Sequence, residues 1–380
     1  MKYCVDWNRC VEERKQESMI NLKDLQLQEL ENFIKELGEP KFRAKQVFGW
    51  LYKDTGKSNG SSGGPGGVTD FDQMTNVPKA LREKLAERAS LGILEPLQVQ
   101  VSKLDGTRKY LFGLEDGNAI ESVFMKYKYG NSICVSSQAG CRMGCRFCAS
   151  GMDGLRRNLT PGEIIGQLLA AEKDTGEKIN HVVVMGTGEP FDNYENLSAF
   201  LRLLHAPEGL NLSYRNITVS SCGIVPGIMD FGEDFPQVNL AISLHAPNDE
   251  IRSSMMPVSR AYPMDQLLEA CREYTKKTSR RITFEYTLVK GVNDQPHHGE
   301  ELANKLRGML CHVNLIPLNA VQESGLHTTE RKDAEQFRDL LEAKGIPATI
   351  RRELGDDIDG ACGQLRLTNC RKGGKESKEF

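Results

Sequence analysis

Residues 132–150 read SICVSSQAGCRMGCRFCAS. The run SICVSSQ (132–138) has the apolar, β-branched content of a buried strand, and the loop after it carries Cys141, Cys145 and Cys148 in a Cys-x3-Cys-x2-Cys spacing. Three thiols within eight residues form a ligand set one short of the four that structural zinc takes. An iron–sulfur cubane held by three cysteines instead leaves one iron with an open position. A zinc site completed by Cys134 or Cys222, or three packed thiols, would use the same residues. The spacing favours the cluster, because cysteines serving only as small core hydrophobes have no reason to keep it.

Outward from this loop, strands and helices alternate. Extended apolar runs lie at 132–138, 181–186, 216–221, 239–245, 282–291, 312–319 and 347–352, with amphipathic segments at 161–175, 194–205, 264–278, 299–310 and 330–344. This pattern predicts an α/β fold with a parallel sheet covered by helices, and the count suits a partial (β/α)6-type barrel better than a closed eight-stranded one. Such barrels carry their chemistry at the carboxyl ends of the strands. The cysteine loop, GTGEP (186–190), Ser220 and Ser221, Ser243-Leu244-His245 and Asn319 all fall there.

The rest of the chain divides around this core of 131–367. Residues 1–21 are charged and aperiodic, a loose tail. Helical patterns at 24–37, 41–53 and 78–90 form a small N-terminal domain over 22–95, interrupted by the Gly/Ser-rich loop 54–67. LQVQVSKL, RKYLFGL and AIESVFMKY, separated by DG and EDGN turns, predict a short antiparallel β extension over 96–130. Residues 368–380 read as a disordered tail. The 380 residues are 39% hydrophobic and contain no run of about 18 apolar residues, so no membrane span is expected. The N-terminus lacks the apolar core of a signal peptide. An odd count of 11 cysteines, three of them clustered, points to a reducing cytoplasm. A net charge of -3 argues neither for nor against nucleic acid.

An open cluster position is what an enzyme needs to bind and reductively cleave S-adenosylmethionine (SAM), and the cysteine motif resembles that of the radical SAM superfamily. In that setting Gly188 and Glu189 offer a close-approach backbone and an acceptor for the SAM ammonium. Ser220, Ser243, Leu244 and His245 can reach the adenosine and ribose, and Asn319 an adenine edge. Taken singly, each is an ordinary strand-end group; their shared location raises them. Spacing alone makes Cys134 a buried strand cysteine and Glu121 a surface carboxylate, and leaves Cys362 an accessible thiol among small residues, beside aspartates that cap a turn.

A closer resemblance covers about Leu22 to Leu367. Cys134-VSSQAG-Cys141, the cluster motif, GxGEP, ISLHAPND (242–249), VNLIPLN (313–319) and GDDIDGACGQL (355–365) occur together and in order. The chain is thereby identified as resembling the RlmN/Cfr family of radical SAM RNA methyltransferases, and ASGMDGLRRNLTPGEI (149–164) is more similar to the RlmN branch. The resemblance implies one [4Fe–4S] cluster on Cys141, Cys145 and Cys148. It implies SAM contacts at Gly188, Glu189, Ser220, Ser243 to His245 and Asn319. Cys362 would become S-methylated, with Cys134 as its partner thiol and Glu121 as proton acceptor. It further implies two SAM per methylation, ribosomal RNA and tRNA as substrates, a flavodoxin or ferredoxin electron donor, and a thiol reductant; a monomer is expected. Arg43, Lys45, Lys53, Arg156, Arg157, Arg351 and Arg352 are candidate phosphate contacts. A Cfr-like enzyme methylating adenine C8 would use the same cysteines. A zinc RNA-binding protein would leave Cys362 without a role. Loop 54–67 departs from the family pattern, and Cys4, Cys10, Cys222, Cys271, Cys311 and Cys370 match no family role.

Overall fold

A computed structural model describes residues 19–53, 66–318, 325–352, 354–355 and 357–358. Asn319, Cys362, Cys4, Cys10, Cys370, Asp356, Asp359, residues 54–65 of the Gly/Ser-rich loop and the 368–380 tail lie outside the described residues.

All seven core runs form strands. β6 (Gly130–Cys134), β9 (His181–Val184), β10 (Ile217–Ser221), β11 (Asn239–Ser243), β12 (Ile282–Leu288), β13 (Cys311–Pro317) and β14 (Ala348–Ile350) lie side by side in that order, each parallel to its neighbour. The six crossovers carry helices α4 (Pro161–Thr175), α5 (Tyr194–His205), α6 (Val225–Asp234), α7 (Asp249–Met255) with α8 (Met264–Thr278), α9 (Pro296–Leu306) and α10 (Arg331–Ala343). This is the partial barrel expected. Strand alternation assigns the two faces. On β10, Ile217, Val219 and Ser221 are buried under the helices, while Thr218 and Ser220 point to the half-exposed inner face.

On the far side of β6 the sheet continues antiparallel through β5 (Ala119–Tyr127), β4 (Arg108–Gly113) and β3 (Pro96–Val101), so β14 and β3 are the two ends of one ten-stranded sheet. A separate two-stranded hairpin, β7 (Gln138–Gly140) with β8 (Leu155–Asn158), brackets the cysteine loop.

Two helices go beyond the sequence pattern. α6 contains Pro226, Gly227 and Gly232, all poor interior helix formers. Packing explains them: a Cβ on Gly227 would sit 2.9 Å from Phe191 Cβ, and one on Gly232 would sit 3.0 Å from Tyr274 Cδ2. α7 is a two-turn helix capped by Asn248, whose Oδ1 accepts from Ile251 N at 3.0 Å. α9 starts at Pro296, three residues before the expected start at 299, because Pro suits a first helical turn.

The N-terminal helices α1 (Leu27–Glu36), α2 (Phe42–Tyr52) and α3 (Lys79–Arg88) share one continuous apolar core with the barrel; Leu30, Phe33, Phe48 and Leu51 belong to the same cluster as Leu168, Leu201 and Leu204. Ile20 and Asn21, read from the sequence as the end of the tail, form strand β1, which pairs in parallel with β2 (Ala89–Ser90). Asp24 Oδ1 accepts from Gly162 N (2.7 Å) at the start of α4, and Gln26 Nε2 donates to Ala199 O (2.8 Å) on α5.

A shared core predicts a single unfolding transition. Trp50 fluorescence, read in a Trp7→Phe background, and far-UV circular dichroism should coincide on a denaturant titration. Phe48→Ala, at a fully buried position, should shift both probes together by about 3–5 kcal/mol. Two separated transitions would show that the N-terminal helices fold on their own.

Candidate active site

The segment leaving β6 runs beneath the GTGEP loop. Gly186 N donates to Val135 O (3.0 Å), Ser137 N and Gln138 N donate to Thr187 O (2.9 and 3.1 Å), Thr187 N donates to Ser136 Oγ (2.9 Å), and Glu189 N to Gln138 Oε1 (2.8 Å). A Cβ on Gly186 would lie 2.8 Å from Ser136 N, and one on Gly188 would lie 2.8 Å from Gln138 N. The sequence suggests that these glycines admit a ligand. In the structure the stretch that carries the cysteine loop lies at this range, Ser136 against Gly186 and Gln138 against Gly188, through both backbone and side-chain atoms.

That loop closes on itself through Cys141 N to Gly154 O (3.1 Å) and Cys148 N to Cys145 O (3.1 Å), and it is tied to α7 by Arg146 N to Met255 O (3.0 Å). Gly140, directly before Cys141, has φ +80° and would place a Cβ 2.0 Å from Gly154 O, so only glycine fits. Cys145 packs with Met143 and Phe147 against Cys222, Met255, Met256 and Leu318. Burial, then its charged neighbours, pushes the Cys141 thiol up to about 11 and raises Cys145 further. Three soft thiols on one loop, with Cys141 and Cys145 both disfavoured as anions without a cation, fit an iron–sulfur cluster, whose positive iron would take up the thiolates. Among the described residues no three His, Cys, Asp or Glu side chains converge for a single metal ion. Of the two further cysteines considered as a fourth ligand, Cys134 belongs to a different apolar cluster from Cys145, whereas Cys222 packs beside it.

Glu189 is buried between the ends of β9 and β10. Its Oε1 accepts from Phe191 N (3.0 Å) and its Oε2 from Cys222 N (2.7 Å). Burial raises its carboxyl and these N–H donors oppose the rise. The Ser221 hydroxyl and the Cys222 thiol bond to the same carboxylate. Ser220 and Ser243 stand half-buried on the inner face of neighbouring strands, and Ser243 pairs in register with Glu285. Leu244 is buried. His245 has φ +56°, a left-handed conformation rare for a residue with a side chain. Leu244 N and His245 N donate to Glu285 O (3.0 and 3.2 Å), His245 Nδ1 accepts from Thr287 N (2.9 Å), and Asn293 Nδ2 donates to His245 O (2.7 Å). Burial, with Arg252 nearby, holds the ring neutral down to about 3. Its ring meets Phe147 edge-on at 4.8 Å, which links β11 to the cysteine loop.

Glu121 is a correction: it is buried, not a surface carboxylate. Lys109 Nζ lies 3.1 Å from its Oε2, and both side chains are almost fully enclosed. Register puts Lys109 and Cys134 directly opposite Val123, two residues from Glu121, so Lys109, Glu121 and Cys134 share the inner face of the sheet. Leu354 packs against the cluster of Val123, Met125 and Cys134. The next residues are clasped by the β3–β4 turn, where Asp105 Oδ2 accepts from Gly355 N (2.9 Å) and Asp357 Oδ2 accepts from Lys103 N (2.8 Å). Burial opposes ionisation of Asp105, but N–H donors at Gly355 and Thr107 outweigh it and hold the carboxyl at about 2. The chain after β14 thus crosses the open side of the barrel and passes beside Cys134.

Three further groups escaped the sequence reading. Lys109 is one. Arg252 is fully buried, with Nη2 donating to Cys222 O at 2.7 Å. Glu285 faces the barrel interior and accepts from Asn314 Nδ2 at 2.8 Å. Of the candidate phosphate contacts, Arg157 is committed to Asp116 and to Glu163 (2.7 Å), and Lys45 lies 3.6 Å from Glu208. Arg351 and Arg352 are exposed, and with Arg331 and Arg338 they line a groove between α10 and β14.

Gly140→Ala should leave the fold but displace the cysteine loop, lowering iron bound per chain after anaerobic reconstitution to less than half of wild type; full iron content would refute the assigned steric role. Asp105→Ala should raise hydrogen exchange at 354–358 at least tenfold with little change in the barrel strands, and unchanged protection there would show that the clasp does not hold the segment.

No helix among the described residues is long and apolar enough to cross a membrane. Residues 20–62 and 64–91 match the ribosomal RNA large subunit methyltransferase N-terminal domain, and residues 135–303 match the radical SAM superfamily. A probable dual-specificity RNA methyltransferase RlmN of Clostridium novyi is 52% identical over 92% of this chain and 98% of its own length. The same-named protein of Lachnospira eligens is 51% identical over 92% of this chain and 96% of its own. The crystal structure of a radical SAM methyltransferase from Sphaerobacter thermophilus superposes with a TM-score of 0.84 at 46% identity, over 91% of this chain and 98% of that one. With the three-cysteine loop on a partial barrel and the N-terminal helices in place, the chain belongs to the RlmN family of radical SAM RNA methyltransferases, enzymes that work with a [4Fe–4S] cluster and SAM.

Proposed function

We propose that this RNA methyltransferase methylates C2 of adenine, at adenine 2503 of 23S ribosomal RNA and adenine 37 of some tRNAs, through an S-methylated Cys362. The observation that supports this most is the common inner face carrying Glu121 and Cys134, with Leu354 packed beside them. Cys362 follows Leu354 by eight residues, a reach of at most about 29 Å of extended chain.

Adenine C2 is an electrophilic carbon, so a direct methyl transfer from SAM to it is unfavourable. Held by Cys141, Cys145 and Cys148, the cluster would supply the one-electron chemistry: cleavage of SAM to the radical that activates the methyl group, and acceptance of the electron that the adduct gives up. Cys362 first receives a methyl from one SAM as its thiolate. After hydrogen is abstracted from that methyl, Cys362 carries the carbon that joins C2 and links RNA to protein. Glu121 accepts the C2 proton once the adduct has given up its electron. The Cys134 thiolate then attacks the Cys362 sulfur: an S–S bond forms, the C–S bond breaks, and its electron pair stays with the new methyl carbon, which takes a proton. A thiol reductant reopens the Cys134–Cys362 disulfide. Glu189, Ser220, Ser243, His245 and Asn319 orient SAM. The exposed Arg351 and Arg352 meet phosphate, and the target base is splayed out to expose its edge. We place the enzyme in the cytoplasm as a monomer, with flavodoxin or ferredoxin as electron donor.

Mass spectrometry of nucleosides decides the reading. Unmodified ribosomal RNA incubated with anaerobically reconstituted enzyme, SAM and a reductant should yield 2-methyladenosine, lost in Cys362→Ala. Appearance of 8-methyladenosine would assign the product to C8, and no product from enzyme with an intact cluster would refute the substrate.

A further inference from the structure

Stability alone does not account for the Lys109–Glu121 pair. Both side chains are almost fully enclosed, the ammonium and carboxylate lie 3.1 Å apart, and the pair bridges adjacent antiparallel strands. The opposite face of the same strands is ordinary apolar core, with Tyr110, Phe112, Ile120 and Phe124 all fully buried. Removing two charges from water costs several kcal/mol per ion, and well-packed apolar residues in place of a buried pair are often neutral or stabilising. An ion pair kept on the inner face beside a reactive cysteine therefore needs a reason other than folding.

We propose that Lys109 is a positioning residue that keeps Glu121 in its proton-accepting form and fixes its orientation next to Cys134; this rests on Glu121 being the proton acceptor of the reaction. The physical argument is direct. A carboxylate without a counter-charge in this enclosed setting is disfavoured as the anion, and an ammonium in hydrogen-bond range reverses that. Lys109 contacts Oε2 and so sets the plane of the carboxyl group. When the C2–H bond breaks and an O–H bond forms on Glu121, Lys109 keeps its own protons and remains a cation beside a neutral acid. Nothing in that arrangement requires Lys109 to touch the RNA.

Other ionisable groups bear on this face. Cys134 stands on β6, Tyr127 on β5, and Arg351, Arg352 and Asp105 approach Tyr127 from the segment after β14 and from the β3–β4 turn.

The test is the pH dependence of single-turnover methylation in wild type, Lys109→Met, Lys109→Arg and Glu121→Gln, with S-methylation of Cys362, a step that does not use Glu121, followed at each pH as the control. In Lys109→Met the acidic limb of the profile should move to higher pH by about one unit or more, cutting the rate at least tenfold below the limb while Cys362 S-methylation stays at wild-type level. Lys109→Arg, which keeps the charge, should return the limb to its wild-type position. Should Lys109→Met not fold, Lys109→Gln keeps a donor without the charge and is read the same way. An unmoved limb in the charge-free variant, or an equal displacement in Lys109→Arg, overturns the inference. If Glu121→Gln methylates as fast as wild type, the proton-acceptor reading falls first and takes this inference with it. If Glu121→Gln is inactive while the limb of Lys109→Met stays put, only the role of Lys109 is lost.

Discussion

The site rests on one contact of backbone with backbone, between residues 135–138 and 186–189. Two segments that follow neighbouring parallel strands are pressed together until no side-chain atom fits at Gly186 or Gly188. Three backbone–backbone hydrogen bonds, with two more to Ser136 Oγ and Gln138 Oε1, all of 2.8–3.1 Å, close the gap. This fixes where the chain emerges from β6 and hence where Cys141 begins the cysteine loop. The same contact anchors Glu189, whose carboxylate then reaches across to the backbone of Cys222 at the end of the next strand.

From there the loop is held from outside. Arg146 bonds to α7, Phe147 leans on His245, and Cys145 packs on Cys222. His245 is itself bent into a left-handed conformation that costs on the order of 1–3 kcal/mol, a strain offset by its hydrogen bonds to Thr287 and Asn293. The three cysteines thus sit on a loop whose position is over-determined by β9, β10, β11 and α7 together, as cluster ligands require.

Much of this was legible in the chain. Continuous β-branched runs mark strands buried on both faces, and helices such as 194–205 and 264–278 fall where the apolar period puts them. α6 was not legible, because its proline and glycines oppose helix locally and only its packing against Phe191 and Tyr274 explains them. Glu121 was misread for a related reason. Its partner Lys109 lies twelve residues earlier on another strand, and no local pattern reveals a pairing made by a hairpin. The glycines of GTGEP were legible as close-approach positions, but the protein contact they make with Ser136 and Gln138 was not. The conformation of His245 leaves no trace in composition.

The clasp at Ser102–Thr107 turns chain length into chemistry. Ile358 ends the described stretch after the anchors at Gly355 and Asp357, and Cys362 is four residues further. On the proposed mechanism, two thiols must meet once per turnover, in competition with any free small thiol. Five residues separate Cys362 from the Asp357 anchor, so the tether confines one thiol to a sphere of about 18 Å radius around it, an effective concentration of millimolar or higher. Whether the enzyme releases its product through its own second cysteine or loses the adduct to a passing thiol is then a contest set by local concentration, and the pinned segment weights it toward the intramolecular partner.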